Sequence, residues 1–277
     1  MTGPLLTATD VVVEYGRRRW RSRPFRALHG VSIEIGEGET LGLVGESGSG
    51  KTTLGRAVLG LAPVTAGRIE FQGQDITHAT RQDRKALSRD LQVVFQDPYT
   101  SLNPSLTIGQ ILAEPLQVQR VGGSEARQRV RELLDRVHLP QDAMGRLPRE
   151  FSGGQRQRIA IARALALRPR LIVCDEPVSA LDLSTQARVL DLLLEIQADT
   201  QVSYLFVSHD LDVVRHVSHR VAVMYQGEIV ETGPALAVTT EPAHPYTRRL
   251  LLASPVPDPD RQAERRAARH EQAVAAR

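Results

Sequence analysis

The residues with the clearest chemical meaning form a glycine-rich segment at positions 45–52, GESGSGKT. It fits the pattern G-x-x-x-x-G-K-[ST] and lies between an apolar run at 40–44 and a helical stretch at 52–61. Glycines let backbone N–H groups turn toward phosphate oxygens, and a helix N-terminus adds partial positive charge there. The segment therefore predicts a site for a nucleotide with Mg²⁺. We expect ATP, although the segment by itself does not separate an ATPase from a GTPase or a kinase.

Lysine is rare in this chain, which makes its presence in the loop informative. Of 35 basic residues only Lys51 and Lys85 are lysines, so position 51 indicates a need for a compact ammonium group. We expect Lys51 to reach the β- and γ-phosphates and the Thr52 hydroxyl to ligate Mg²⁺. The nucleotide-binding residues predicted in and beside the loop are Gly45, Glu46, Ser47, Gly48, Ser49, Gly50, Lys51, Thr52 and Thr53.

Two adjacent carboxylates follow a second apolar run, LIVC at 171–174. A buried strand has no structural need for two acids at its end. We expect Asp175 to hold the Mg²⁺ shell, because P-loop proteins place an acid there. Glu176, one residue further, is the candidate general base that would activate an attacking water.

The pattern of apolar residues indicates how these groups are positioned. Alternation at 9–15 and 31–35 predicts half-buried strands, whereas 91–95, 171–174 and 204–207 are apolar runs typical of buried strands. Helical spacing occurs at 125–137, 152–167 and 186–198. Three prolines, at 98, 104 and 115, mark the stretch 97–115 as rich in loops.

We therefore predict an α/β fold: a P-loop NTPase (RecA-like) core with an N-terminal antiparallel β subdomain and an inserted α-helical subdomain. The folded domain is expected at residues 7–257, with its core at 7–95 and 166–257 and the helical subdomain at 97–165. Residues 258–277, rich in Arg, Ala and Glu, are expected to form a frayed or disordered tail.

The segment 151–158, FSGGQRQR, resembles the signature motif of ATP-binding cassette (ABC) ATPases, with Phe151 where the motif usually has leucine. The resemblance implies that this motif grips the γ-phosphate of an ATP held by a second subunit. The residues to which it assigns this contact are Ser152, Gly153, Gly154 and Gln155.

Further landmarks of that family follow in order along the chain. Gln96 matches the Q-loop glutamine, which is implied in both catalysis and Mg²⁺ binding, and Asp182 lies in a segment that matches the D-loop. His209 matches the switch histidine, and Tyr15 matches the aromatic that stacks on adenine, with Trp20 as an alternative. The implied catalytic residues are Glu176, His209, Gln96 and Lys51, and the implied metal ligands are Thr52, Gln96 and Asp175.

Two other segments, 96–111 and 244–251, resemble the ATPases of dipeptide, oligopeptide and nickel importers. One ATPase type in that group carries a cysteine-bearing C-terminal extension, and this chain is similar to the other type. The resemblance implies a second, related ATPase subunit, two transmembrane permease subunits and an external binding protein. The chain would then work at the cytoplasmic face of the membrane. Cargo, and whether the ATPase pair is hetero- or homodimeric, stay open.

Composition argues against several other classes. No apolar run approaches the roughly 20 residues of a membrane span, no signal peptide is visible, and the single cysteine, Cys174, excludes an intrachain disulfide. A net charge of +3 is low for a nucleic-acid binder, and we expect no nucleic-acid partner. The basic run at 17–26 is a solvated loop or a contact for lipid headgroups or a partner. An inactive regulatory module would be expected to lack Glu176 or His209.

Overall fold

The computed structural model describes residues 3–16 and 24–253. Ten strands occur within those ranges. They are β1 (Leu6–Tyr15), β2 (Phe25–Ile35), β3 (Thr40–Val44), β4 (Val64–Phe71), β5 (Gln74–Asp75), β6 (Leu91–Val94), β7 (Leu171–Asp175), β8 (Ser203–Ser208), β9 (Arg220–Tyr225) and β10 (Glu228–Pro234).

Helices lie in several of the connections between the strands, and two short 3₁₀ helices occur at Gln141–Gly145 and Pro148–Glu150. The α-helices of the described part are α1 (Lys51–Val58), α2 (Arg81–Leu87), α3 (Pro98–Ser101), α4 (Ile108–Val118), α5 (Gly123–Arg136), α6 (Gly153–Leu165), α7 (Leu183–Thr200), α8 (Leu211–Val217), α9 (Ala235–Thr240) and α10 (Pro245–Ala253). The long run from α3 to α6 lies between β6 and β7 in sequence.

The strands form two sheets. A six-stranded sheet has the order β10-β9-β3-β8-β7-β6, in which all neighbours are parallel except β10, which runs antiparallel to β9. A four-stranded antiparallel sheet has the order β2-β1-β4-β5. Parallel strands need crossover connections, and the helices supply them.

The central strands of the larger sheet are buried on both faces, which explains their continuous apolar sequences. In β7, Leu171 and Val173 join a core shared with α1 and the four-stranded sheet. The alternate residues Ile172 and Cys174 point to the other face and join the core formed with α4 to α8. Complete burial also raises the pKa of the Cys174 thiol, so this cysteine is a packing residue.

One local prediction is wrong. The stretch 97–115 was predicted to be rich in loops because of its prolines, but Ile108–Val118 form helix α4 with Pro115 inside it. The helix starts at a capping box in which Thr107 and Gln110 bond each other's backbone N–H groups. Its buried face carries Ile108, Ile111, Leu112 and Leu116, and that burial outweighs the hydrogen bond lost at the proline.

The α/β prediction, with an antiparallel β subdomain and an inserted helical segment, is confirmed. The exact domain boundaries stay a prediction. The tail at 258–277 and most of the basic run, at 17–23, lie outside the described residues. Within the described ranges, no helix combines the length and hydropathy that a membrane crossing requires.

Gly42, at the centre of β3, gives a test of how tightly this sheet is packed. A Cβ atom there would lie 2.2 Å from Val214 Cγ1 and 2.5 Å from Ser218 Oγ on and beside α8. We predict that Gly42→Ala lowers the free energy of unfolding by about 1–3 kcal/mol, because overpacking forces neighbouring groups apart. Urea unfolding followed by circular dichroism measures this.

Gly123→Ala is the matched control, since a Cβ at that position in α5 has nothing within 4 Å. An unfolding midpoint for Gly42→Ala equal to that of the control would contradict the packing described for β3 and α8.

Candidate nucleotide-binding site

The candidate site lies at one edge of the six-stranded sheet. Because β3, β8, β7 and β6 are parallel neighbours, their carboxyl ends meet at the same edge, where α/β proteins bind ligands. The loop 45–50 follows β3, and Gln96 lies two residues beyond β6. Asp175 ends β7, Glu176 follows it, and His209 comes directly after β8. The structure therefore brings together groups that are far apart in sequence.

The loop after β3 ends at a helix N-terminus that no side chain caps among the described residues. Gly50 is the N-cap of α1 and has a left-handed backbone with φ 108°, which favours glycine. A Cβ atom at Gly50 would also lie 2.9 Å from the Ala27 carbonyl oxygen. Backbone N–H groups in the first turn of α1 thus lack the usual side-chain acceptor, which makes this end of the helix suited to an anion.

Lys51 is almost completely buried under this loop. Its Nζ donates to the carbonyl oxygens of Gly45 at 2.7 Å and Glu46 at 2.9 Å. An ammonium group has three donors, so these bonds leave one for a phosphate oxygen. Burial lowers the pKa of Lys51, while the negative charges of Glu176 and Asp175 act in the opposite direction. The loop thus holds the Lys51 ammonium at the place where a phosphate would bind.

Thr52 and Asp175 meet across the sheet edge. The Thr52 hydroxyl donates to Asp175 Oδ1 at 2.9 Å. Burial raises the pKa of Asp175, and the neighbouring Glu176 charge adds to this, so the carboxylate would gain from a nearby cation. Within residues 3–16 and 24–253 no group of three His, Cys, Asp or Glu side chains could hold a metal ion. A hydroxyl and a single carboxylate suit Mg²⁺, which completes its shell with phosphate oxygens and water.

Glu176 is the centre of a three-residue contact. Its Oε2 accepts from Gln96 Nε2 at 3.3 Å and lies 3.2 Å from His209 Nδ1. The Glu176 backbone has φ 48°, a conformation that costs a non-glycine residue energy and that is often found at functional sites. The Glu176 N–H donates to the Val207 carbonyl oxygen at 3.0 Å, which secures this turn against β8. All three side chains are thus held at one point beside the phosphate loop.

A cleft of about 400 Å³, here called the phosphate-loop cleft, opens beside these groups. Tyr15 lines it, as the sequence predicts, but so does Phe25, which the sequence analysis missed. The two residues are direct partners in the β1–β2 register, and Phe25 is 67% exposed. Only 31–35 was predicted as the second strand, so its extension back to Phe25 was not visible. Trp20, the alternative, lies outside the described residues.

The other predicted loop residues lie in different places, and only some of them line this cleft. Ser47, Gly48 and Thr53 line it together with Lys51. Ser49 is buried and its carbonyl oxygen accepts from the Gly227 N–H in the β9–β10 turn at 2.9 Å. Glu46 lies in a second cleft of about 640 Å³, here called the His209 cleft. The residues that line the His209 cleft are Glu46, Ser47, Gln96, Glu176, Ser179, Ala180, His209, Asp210, Leu250 and Ala253.

The FSGGQ segment lies elsewhere. Ser152 is the N-cap of α6, and its hydroxyl accepts from the Gln155 N–H while the Gln155 side chain accepts from the Ser152 N–H. Gly154 is needed for packing, since a Cβ there would lie 2.2 Å from Thr185 Cγ2 in α7. None of the residues 152–155 is among those that line the phosphate-loop cleft or the His209 cleft.

Asp182 begins the neighbouring helix. It is the N-cap of α7 and accepts from the Thr185 N–H at 3.0 Å and from the Ser184 hydroxyl at 2.7 Å. These hydrogen bonds hold the pKa of Asp182 below its ordinary range. Gly154 places the starts of α6 and α7 in contact, so the two exposed caps form a second polar surface, separate from the phosphate-loop cleft.

Sequence comparison identifies two families in this chain. The ABC transporter family matches residues 28–179, more than half of the chain. The region described as "Oligopeptide/dipeptide transporter, C-terminal region" matches residues 230–276. The first match contains the phosphate loop, the FSGGQ segment and both carboxylates, and the second contains α9 and α10.

Curated relatives match most of this chain within longer chains. The glutathione import ATP-binding protein GsiA of Escherichia coli O6:H1 is 54% identical over 268 residues, which is 95% of this chain and 43% of the relative. GsiA of Salmonella paratyphi A is 52% identical over 246 residues, 88% of this chain and 40% of the relative. The chain thus spans about two fifths of the length of these relatives.

Solved structures agree with the family match. The chain is similar to cbiO1 of Clostridium perfringens, part of the ABC transporter complex cbiONQ, with TM-score 0.77 and 28% identity over 86% of this chain and 92% of cbiO1. It is also similar to the dimeric cassette MJ0796 in a post-hydrolysis state with ADP and Pi, with TM-score 0.74 and 30% identity over 83% and 98% of the two chains. The chain therefore belongs to the ABC transporter family as one of its ATPase cassettes, and the predictions of ATP and Mg²⁺ are confirmed.

Proposed function

We propose that this chain is the ATP-binding subunit of an ABC importer that hydrolyses ATP at a dimer interface to drive uptake of small peptides. The main observation behind this proposal is that the phosphate-loop residues and the FSGGQ residues lie on separate surfaces of the chain. Lys51, Thr52 and Glu176 lie at the phosphate-loop cleft, whereas Ser152 and Asp182 start helices on another surface. A second subunit, facing the first head to tail, would bring its Ser152 surface to this cleft.

The binding roles follow from the chemistry of each group. The ammonium of Lys51 and the N–H groups at the start of α1 would hold the phosphates, and Tyr15 with Phe25 would contact the adenine. The Thr52 hydroxyl and the Asp175 carboxylate would ligate Mg²⁺, which supplies positive charge that neutralises the phosphates. Gln96 would add its amide oxygen, since its amide nitrogen is the atom that contacts Glu176.

Glu176 is proposed as the general base. Its carboxylate would take a proton from a water, and the His209 ring and the Gln96 amide, both within hydrogen-bond distance, would fix its orientation. Its side chain is 15% exposed, enough for a water to reach it from the cleft. The Glu176 side chain lines the phosphate-loop cleft together with Lys51 and Thr52.

The signature residues would act on the ATP of the other subunit. Ser152, Gly153, Gly154 and Gln155 offer a second helix N-terminus, at which Ser152 is exposed at the start of α6. Asp182 would contact the facing subunit from the adjoining cap of α7. Closure would then need two nucleotides, and cleavage of the γ-phosphate would release the two halves.

The assembly proposed from this is a transporter with a second ABC ATPase subunit, two transmembrane permeases and an external binding protein. The chain would sit peripherally on the cytoplasmic face of the membrane. Its 54% identity to a glutathione import ATP-binding protein supports an importer. Whether the ATPase pair consists of two copies of this chain or of two related chains is a question for the purified complex.

Two observations support small peptides as cargo. The C-terminal match is to an oligopeptide and dipeptide transporter region, and the relatives named above import glutathione, itself a short peptide. Nickel or another small solute is the alternative. The ATPase subunit would not contact the cargo. The proposed class of cargo therefore rests on the family match and not on the residues of the site.

Glu176→Gln tests the assigned base. We predict that ATP binding stays within about twofold of the unchanged chain while the rate of phosphate release falls by about 10²-fold or more, because general-base catalysis is lost. Titration with a fluorescent ATP analogue and a phosphate-release assay with Mg²⁺ measure the two quantities. Gel filtration with ATP should show a trapped dimer.

The control is Glu195→Gln, which changes an exposed carboxylate on α7 that contacts His138. It should leave both quantities unchanged. Ordinary turnover in Glu176→Gln would show that Glu176 is not the base.

The cargo prediction needs the whole transporter. With the permeases and the binding protein in liposomes, short peptides, including glutathione, should stimulate ATP hydrolysis and accumulate inside, and Ni²⁺ should do neither. The same complex with Glu176→Gln is the control and should accumulate nothing. Uptake of Ni²⁺ without uptake of peptides would contradict the peptide proposal and support nickel as the cargo.

A further inference from the structure

Helix α10 reaches the phosphate loop from the C-terminal region, far away in sequence. The phenol oxygen of Tyr246, in its first turn, accepts the backbone N–H of Glu46 at 3.0 Å. Tyr246 is only 3% exposed, and Leu250 and Ala253 further along α10 line the His209 cleft. The sequence of this segment indicates only a family resemblance and no function for Tyr246.

The same peptide unit is held from both sides. Its N–H, from Glu46, donates to Tyr246, and its C=O, from Gly45, accepts from Lys51 Nζ at 2.7 Å. A peptide unit is planar, so fixing its N–H direction also fixes its C=O direction. Tyr246 thereby sets the orientation of a carbonyl group that holds the ammonium of Lys51.

Tyr246 is itself firmly positioned. Its ring lies against that of Tyr225, at the end of β9, with 4.2 Å between the centroids and 37° between the planes. The Tyr246 N–H donates to His244 Nδ1 at 3.2 Å. Just before the helix, the Glu231 carboxylate of β10 accepts the N–H groups of Ala243 and His244 at 2.8 and 3.1 Å. These contacts hold the phenol oxygen of Tyr246 in a fixed position next to the phosphate loop.

A buried tyrosine usually finds a hydrogen-bond partner, so the simplest alternative is that the contact with Glu46 serves only the packing of Tyr246. A packing role and a positioning role predict different effects when the hydroxyl is removed. In a packing role, its loss lowers stability and leaves nucleotide binding intact. If the hydroxyl instead orients the peptide unit, its loss lets the Glu46 N–H and the Gly45 carbonyl rotate. That rotation disturbs Lys51 and therefore lowers the affinity for phosphate.

We propose that Tyr246 is a positioning residue of the nucleotide site, which couples α10 to the phosphate loop by orienting the Gly45–Glu46 peptide that holds Lys51. It does not contact the nucleotide. The inference rests on the proposed function in taking ATP as the ligand of Lys51. It links the C-terminal region directly to the ATP site.

Tyr246→Phe removes the hydroxyl and keeps the ring. We predict that the Kd for trinitrophenyl-ATP, measured by fluorescence with the full chain, rises about fivefold to tenfold, as expected when a buried donor loses its acceptor. Tyr225→Phe is the matched control, because that hydroxyl accepts only from the Gln226 side chain among the contacts described. Its Kd should stay within about twofold of the unchanged chain.

A double-mutant cycle with Lys51→Ala separates positioning from packing. Lys51→Ala alone should weaken binding by about tenfold or more, because a charge-assisted contact to phosphate is lost. In that background Tyr246→Phe should add less than about twofold, since no ammonium remains to be oriented. Full additivity of the two effects, or a Kd for Tyr246→Phe within twofold of the unchanged chain, would overturn the proposal. Unchanged binding in Lys51→Ala would instead contradict the proposed function, and the route through Lys51 with it.

Hydrogen exchange tests the contact without any substitution. The Glu46 amide should be protected in the unchanged chain free of nucleotide, because it is bonded to Tyr246. Exchange of the Glu46 amide at the rate of an exposed loop would overturn the proposal independently of how well Tyr246→Phe folds.

Discussion

The first turn of α1 carries backbone N–H groups that no side chain caps in the described structure, at the end of a strand buried on both faces. Such groups suit an anion, and the buried Lys51 beside them keeps one N–H donor that the carbonyl oxygens of Gly45 and Glu46 do not use. A phosphate would accept hydrogen bonds from the start of α1 and from Lys51. The parallel sheet places Asp175, Glu176 and His209 at the same edge as this helix start, because the carboxyl ends of its strands meet there.

Under the proposed function, one chain would hold only part of the chemistry. Ser152 at the start of α6 and Asp182 at the start of α7 are not among the residues that line the phosphate-loop cleft. Unlike the start of α1, both of these helix starts are capped by a side chain. Gly154 lets the starts of the two helices pack closely, since a Cβ there would lie 2.2 Å from Thr185 Cγ2. Two such chains, facing head to tail, would supply each phosphate with one helix N-terminus from either side, which links nucleotide binding to closure.

Much of this could be predicted from sequence, and the exceptions have physical causes. The loop 45–52, the carboxylates after β7 and the α/β order were visible because tight turns and buried strands impose strong local patterns. Phe25 was missed because its position depends on pairing with Tyr15 across β1 and β2. The helix around Pro115 was missed because burial of its apolar face overrode a local breaker. Tyr246 was missed because its contact joins residues 200 positions apart.

The central claim is that each ATP is shared between two subunits. A structure of the assembled ATPase pair with Mg²⁺ and a non-hydrolysable ATP analogue tests it most directly, through the contacts of the γ-phosphate. The account predicts Lys51 of this chain and the serine of the FSGGQ-type segment of the facing subunit on opposite sides of that phosphate, and Ser152 in the reciprocal site. A γ-phosphate contacted by Lys51 and Ser152 of the same chain, or by no second subunit, would contradict it.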